Sequence, residues 1–182
     1  MGLLSRISRR VGAKGTMTNI VVGNKAPGFA LKSLDGKELA LGKLLQKGPV
    51  VAAFFKVSCP VCQFTFPFIE RLHHRYGGDG VTIVGISQDD ARATKDFAKE
   101  YGTTFPMLLD EKSKGYVASN AYGLTNVPTV FFIDTDATVK TICMGFEKEA
   151  LESIAKSLAE RKKIAPAALF KGSESVPAQR PG

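Results

Sequence analysis

A chain of 182 residues, 44% hydrophobic and 23% charged, can bury one ordinary core; this excludes two full domains and a composition typical of disordered or fibrous chains. The net charge of +8 does not mark a nucleic-acid groove, because it resides at the ends. Residues 1–24 carry Arg6, Arg9, Arg10 and Lys14 with no acid, and residues 161–182 carry five cations against Glu174, whereas residues 25–160 balance.

In chain order, residues 1–22 read as a basic flexible tail, 23–162 as the folded domain and 163–182 as a second flexible tail. Met1 to Thr18 lacks the apolar core of a secretory signal, since Leu3-Leu4 is followed at once by Ser5 and Arg6; a cytoplasmic protein is expected. No run of apolar residues is long enough to span a bilayer. Residues 28–32 form a short strand, and Asp35-Gly36 turns it into 38–41, a hairpin. Pro49 to Phe55 is a continuous apolar run of the kind buried on both faces of a sheet. From Pro60 to Tyr76, Val61, Phe64, Phe68, Ile69 and Leu72 recur at helical spacing; Gly77-Gly78 stops the helix and Pro67 kinks it. A strand over 81–86, a helix over 91–101, an extended piece over 105–109 and a helix over 113–122 follow. Strands at 129–133 and 138–144 make a hairpin through Asp134-Thr135-Asp136, and 147–161 is a last amphipathic helix. This order predicts an α/β chain: a mixed central sheet flanked by helices, with an N-terminal β-hairpin.

Three cysteines are too few for a stapled scaffold, and two of them form one close pair, Cys59-Pro60-Val61-Cys62. Disulfide exchange needs one exposed, easily ionised thiol and a second able to close a ring on it. At a helix start, Cys59 would face unpaired N–H groups and the positive end of the dipole, which favour a thiolate; Cys62, one turn in, is more covered. Cys59 is thus expected to attack and Cys62 to resolve. A zinc site would need two more ligands. The only histidines, His73 and His74, lie eleven and twelve residues past Cys62 on the same helix, roughly 16–18 Å away. Neither metal nor cofactor is expected, and Cys143, in a strand, reads as a buried apolar residue.

The run Phe54-Phe55-Lys56-Val57-Ser58-Cys59-Pro60-Val61-Cys62, the helix proline Pro67 and Val127-Pro128-Thr129 together resemble the thioredoxin-like superfamily over about residues 22–160. Asn24-Lys25-Ala26-Pro27-Gly28-Phe29, Val84-Gly85-Ile86-Ser87 with Gln88-Asp89-Asp90, Phe105-Pro106-Met107-Leu108-Leu109-Asp110 and Tyr122 to Thr129 resemble its redoxin branch, the TlpA-like and AhpC/TSA-like proteins. The resemblance implies a thioredoxin-like fold with a βα insertion and a thiol–disulfide oxidoreductase. Its partners would be protein or small-molecule thiols and disulfides and an external electron donor or acceptor, with no nucleic acid and no membrane span, and the chain would be a monomer. It also implies that Pro128 is cis and faces the cysteines, and that Val127 offers backbone hydrogen bonds to an extended substrate. The sequence departs from the pattern in three places. Ser58 replaces the usual Trp, and Ala53 and Thr65 stand where relatives carry the acid that accepts the resolving thiol's proton. Lys56 is a candidate for electrostatic support of a thiolate.

A peroxiredoxin-like peroxidase using Cys59 is the alternative, although Lys56 and Ala52 occupy that family's Thr and Pro positions. A Sco-like metal-binding protein is the lesser alternative, since that family spaces its cysteines by three residues and has a downstream histidine, whereas nothing after His74 is histidine here.

Overall fold

The computed structural model describes residues 20–182. Strands β1 (Ala30–Ser33) and β2 (Glu38–Ala40) form the expected hairpin, with Gly36 at φ 83° in its turn. The chain then enters a short helix, α1 (Leu41–Leu45), one residue before the expected strand over 38–41 would end. Leu41, Leu44 and Leu45 lie on one helical face and are all buried, so packing decides for helix. Next come β3 (Val50–Phe55), α2 (Pro60–Tyr76), β4 (Thr82–Ser87), α3 (Ala91–Glu100) and β5 (Met107–Leu109).

The single helix expected over 113–122 is a 3-10 turn, Lys112–Lys114, followed by α4 (Val117–Ala121). Gly115 and Tyr116 take left-handed backbone, with φ of 75° and 50°, and break it. The buried Asp110 carboxylate restarts the helix by accepting from the N–H groups of Ala118 (3.0 Å) and Ser119 (2.7 Å) and from Ser119 Oγ (2.7 Å). The second hairpin is β6 (Thr129–Ile133) with β7 (Val139–Met144), and a two-residue strand β8 (Phe146–Glu147) leads into α5 (Lys148–Lys162).

Seven strands form one mixed sheet in the order β2-β1-β5-β4-β3-β6-β7, with β3–β4 and β4–β5 parallel and the other pairs antiparallel. Central β3 pairs on both sides and buries all six residues, as its uninterrupted apolar run requires. Alternation along it builds two cores. Val51, Ala53 and Phe55 face a layer of α2, α3 and α5, with Phe66, Ile69, Leu72, Phe97, Leu151 and Leu158. Val50, Ala52 and Phe54 face α1, α4 and the N-terminal hairpin. Cys62 and Cys143 belong to the first core, and burial pushes the Cys143 thiol up to about 12. Among the described residues no helix is long and apolar enough to cross a membrane.

At the N-terminal end, residues 1–19 of the expected basic tail lie outside the described residues. The expected C-terminal tail, 163–182, is a correction: it packs along α2 and α5. Leu169 and Phe170 are buried in the first core, the Phe170 ring 4.9 Å from Phe68 and 5.9 Å from Phe146. Arg71 of α2 forms a two-pronged ion pair with Glu174 and donates to the Leu169 carbonyl (3.0 Å). Strand β9 (Gln179–Arg180) then pairs antiparallel with β8. Charge density marked this segment as a tail; the apolar pair Leu169-Phe170 within it was the contrary signal.

Candidate active site

Helix α2 starts where Pro60, which needs no N–H partner in the first turn, follows Cys59. Cys59 is the N-cap residue, in extended backbone, and its Sγ accepts the Cys62 N–H at 3.3 Å. The same Sγ lies 3.3 Å from the Val127 carbonyl oxygen, to which the thiol donates. Cys59 is half-buried, whereas Cys62 is fully buried one turn behind it; both are free thiols. Burial pushes the Cys62 thiol well above its ordinary value; the neighbouring Cys59 sulfur adds to the shift, and the Asp89 charge contributes further.

Three hydrogen bonds pin the loop that delivers Cys59. Cys59 N–H donates to the Lys56 carbonyl (3.2 Å), Val57 N–H to Asp89 Oδ2 (2.8 Å), and the Val57 carbonyl accepts from Gln63 Nε2 (2.9 Å). Asp89 sits just past the end of parallel strand β4, the edge of an α/β sheet where sites collect. In the sequence Asp89 stands only within the motif Gln88-Asp89-Asp90; its hydrogen bond to the cysteine loop is a site contact that only the fold reveals.

The Val127–Pro128 peptide bond is cis. Pro128 is buried, its carbonyl accepts from Gly145 N–H (2.7 Å), and Thr129 Oγ1 ties back to the Asn126 carbonyl (2.8 Å). Cys59, Cys62, Val127 and Pro128 are therefore brought together. Lys56 is exposed and borders a small cleft with Gln88, Thr125, Asn126 and Val127, and it makes no ion pair among the described residues. Ala53 and Thr65, at the positions of the missing acids, are both buried, and Thr65 Oγ1 is spent on the Val61 carbonyl (2.7 Å). The buried acid farther down α2, Glu70, is engaged by Thr104 N–H (2.8 Å) and His74 Nε2 (3.0 Å), two turns away from Cys62. His73 and His74 lie in the last turn of α2, at the opposite end from the cysteines.

The model of the AhpC/TSA family matches residues 22–142. The thiol-disulfide oxidoreductase ResA of Bacillus anthracis is 34% identical over 139 residues, covering 75% of this chain and 78% of the relative. ResA of Bacillus subtilis is 30% identical over 134 residues, 73% of each chain. Among solved structures, a putative thiol:disulfide interchange protein DsbE from Chlorobium tepidum superposes with a TM-score of 0.67 at 25% identity, over 78% of this chain and 97% of that one. A matching fold and family motif across most of the length lead to one assignment: the chain belongs to the AhpC/TSA family, in the redoxin branch of the thioredoxin-like superfamily.

Proposed function

We propose that this chain is a thiol–disulfide oxidoreductase with Cys59 and Cys62 as its redox couple. One observation carries the reading: the Cys59 sulfur sits at the mouth of α2, within reach of both the Cys62 N–H and the Val127 carbonyl, with Cys62 sealed behind it. The names of the ResA and DsbE relatives support it.

In the reducing direction, the Cys59 thiolate attacks one sulfur of a partner disulfide. The partner S–S bond breaks, a mixed disulfide forms on Cys59, and the first partner thiolate leaves and takes a proton. Cys62 then loses its proton and attacks the Cys59 sulfur, closing the Cys59–Cys62 disulfide and releasing the second partner thiol. The partner gains two electrons and the couple loses them; an external dithiol restores the couple. Val127 presents main-chain hydrogen-bonding groups to an extended partner beside the buried Pro128. Lys56 lends positive potential at the loop entrance, weakly, because it is exposed and screened. The partner class is protein thiols and disulfides, and the setting proposed is the cytosol.

A glutathione titration of the couple tests this. A potential near the thioredoxin value of about −270 mV is expected and supports a reductant in a reducing compartment. A value near about −120 mV would overturn the direction and setting. Fast sulfenic acid formation at Cys59 under dilute peroxide in a Cys62→Ser chain would instead establish the peroxidase.

A further inference from the structure

The segment that follows Glu174 reaches the redox site. Strand β9 completes the edge of β8, with Arg180 opposite Phe146 and Gln179 opposite Glu147, and the Ala178 carbonyl accepts the Lys148 N–H at 2.8 Å. Strand β8 has no other ladder among the described residues. The Arg180 guanidinium lies 3.8 Å from the centre of the Phe64 ring, two residues past Cys62. The backbone then passes over Gly145 and reaches Val127. A Cβ on Gly145 would collide with the Arg180 carbonyl oxygen and stand 2.7 Å from Gly182 N. A Cβ on Gly182 would collide with the Val127 carbonyl oxygen and stand 3.1 Å from Asn126 Nδ2. That carbonyl is the one to which Cys59 donates.

The segment has two parts of different strength. Its first part is anchored by buried Leu169 and Phe170, by the Arg71–Glu174 pair and by half-buried Val176. Residues 178–182 are exposed and held by the short β8 ladder, one ring–cation contact and close backbone packing.

We propose that β8, the Phe64 ring and the Val127 carbonyl form one docking track for an extended polypeptide, and that residues 177–182 are its resident occupant, which a protein partner must displace to reach Cys59. The proposal rests on the oxidoreductase reading for its consequence and on the contacts above for its existence. It also names the chemistry of a favoured partner. Main chain adds a strand to β8, a cation covers Phe64, and a small residue two positions later lies against Val127, where a side chain has no room. A small disulfide needs none of these contacts and meets no such competition.

The test keeps the full chain and compares it with an Arg180→Ala/Gly182→Val double variant, which leaves the anchor intact. Because two or three weak contacts hold the tip, kcat/KM for insulin disulfides is expected to rise about ten-fold in the variant. Reduction of glutathione disulfide should change by less than about two-fold. Exchange of the Lys148 amide, protected by Ala178, should quicken in the variant. A synthetic peptide spanning Val176 to Gly182, added to the variant, should raise KM for insulin without changing kcat. An insulin rate that is unchanged or lower, or both disulfides accelerated alike, would overturn the docking track. If the wild-type chain reduces neither disulfide, the oxidoreductase reading itself fails. Lys148 exchange and peptide binding then still decide the track: unaltered exchange together with no peptide binding refutes it.

Discussion

A Cys62→Ser chain accumulates a covalent adduct with a disulfide-bonded protein, joined through Cys59 and cleaved by dithiothreitol, while steady-state turnover falls roughly 10³-fold. The adduct forms because Cys59, half-buried at the helix mouth, still attacks; it persists because the sulfur that would displace the partner is gone. Cys59→Ser loses turnover to a similar extent and gives no adduct, which non-reducing electrophoresis and mass spectrometry of the crosslinked peptide distinguish. Cys143→Ala keeps turnover, since that thiol is buried in β7. The pH profile separates the two steps. Burial holds the Cys62 thiol protonated throughout the neutral range, so its thiolate fraction, and the rate of adduct release in single-turnover experiments, climb about ten-fold per pH unit from pH 6 to 8. A release rate independent of pH over that interval would mean that a nearby group takes the proton, and the buried Ala53 and Thr65 offer none.

Phe66→Ala destabilises the fold by about 3–5 kcal/mol, read by urea or thermal unfolding, and lowers the melting temperature by about 10 °C. The side chain is fully buried, and its ring meets those of Phe55 (4.3 Å), Phe97 (5.2 Å) and Phe105 (5.9 Å), so truncation opens a cavity between α2, α3 and the sheet. These contacts also seat α2 on β3, one turn below Cys62, so the same change loosens the frame that holds the cysteine loop. The effect should be much larger than that of Phe64→Ala, whose ring is half-buried under Arg180. Equal losses from the two substitutions would show that the core is not centred where the packing places it.

The residues that form the fold's centre were readable because their patterns admit few alternatives. Pro49 to Phe55 has no polar residue to turn outward, so it had to be central, and Asp35-Gly36 and Asp134 to Asp136 each sit between strand-forming runs. Cys59 and Cys62 announced themselves by spacing, and Val127 and Pro128 entered through resemblance alone; no periodicity places them against α2. What stayed hidden was long-range. Leu41 could continue a strand or open a helix, and only the buried face of Leu44 and Leu45 decides. The break at Gly115 and Tyr116 depends on Asp110, whose carboxylate meets the α4 backbone from outside the helix. Asp89 reaches Val57 across 32 positions of sequence, and the segment after Lys163 is ordered by Arg71, about a hundred residues away. Local propensity carries no record of such partners.

The Arg71–Glu174 clasp gives the docked segment a definite response to its surroundings. Arg71, and after it the Lys171 N–H, hold the Glu174 carboxyl down to about 2 from an ordinary value of 4.5. A carboxylate depressed in the folded state contributes fully above 4.5 and loses its contribution only as acidity carries it down toward 2. Mild acidification therefore leaves the fastening closed. Both side chains remain about a third exposed, at 34% and 27%, so dissolved electrolyte reaches them and weakens their attraction over a screening distance of about 8–10 Å. Ionic strength, rather than the proton, is the environmental variable that loosens this end of the molecule.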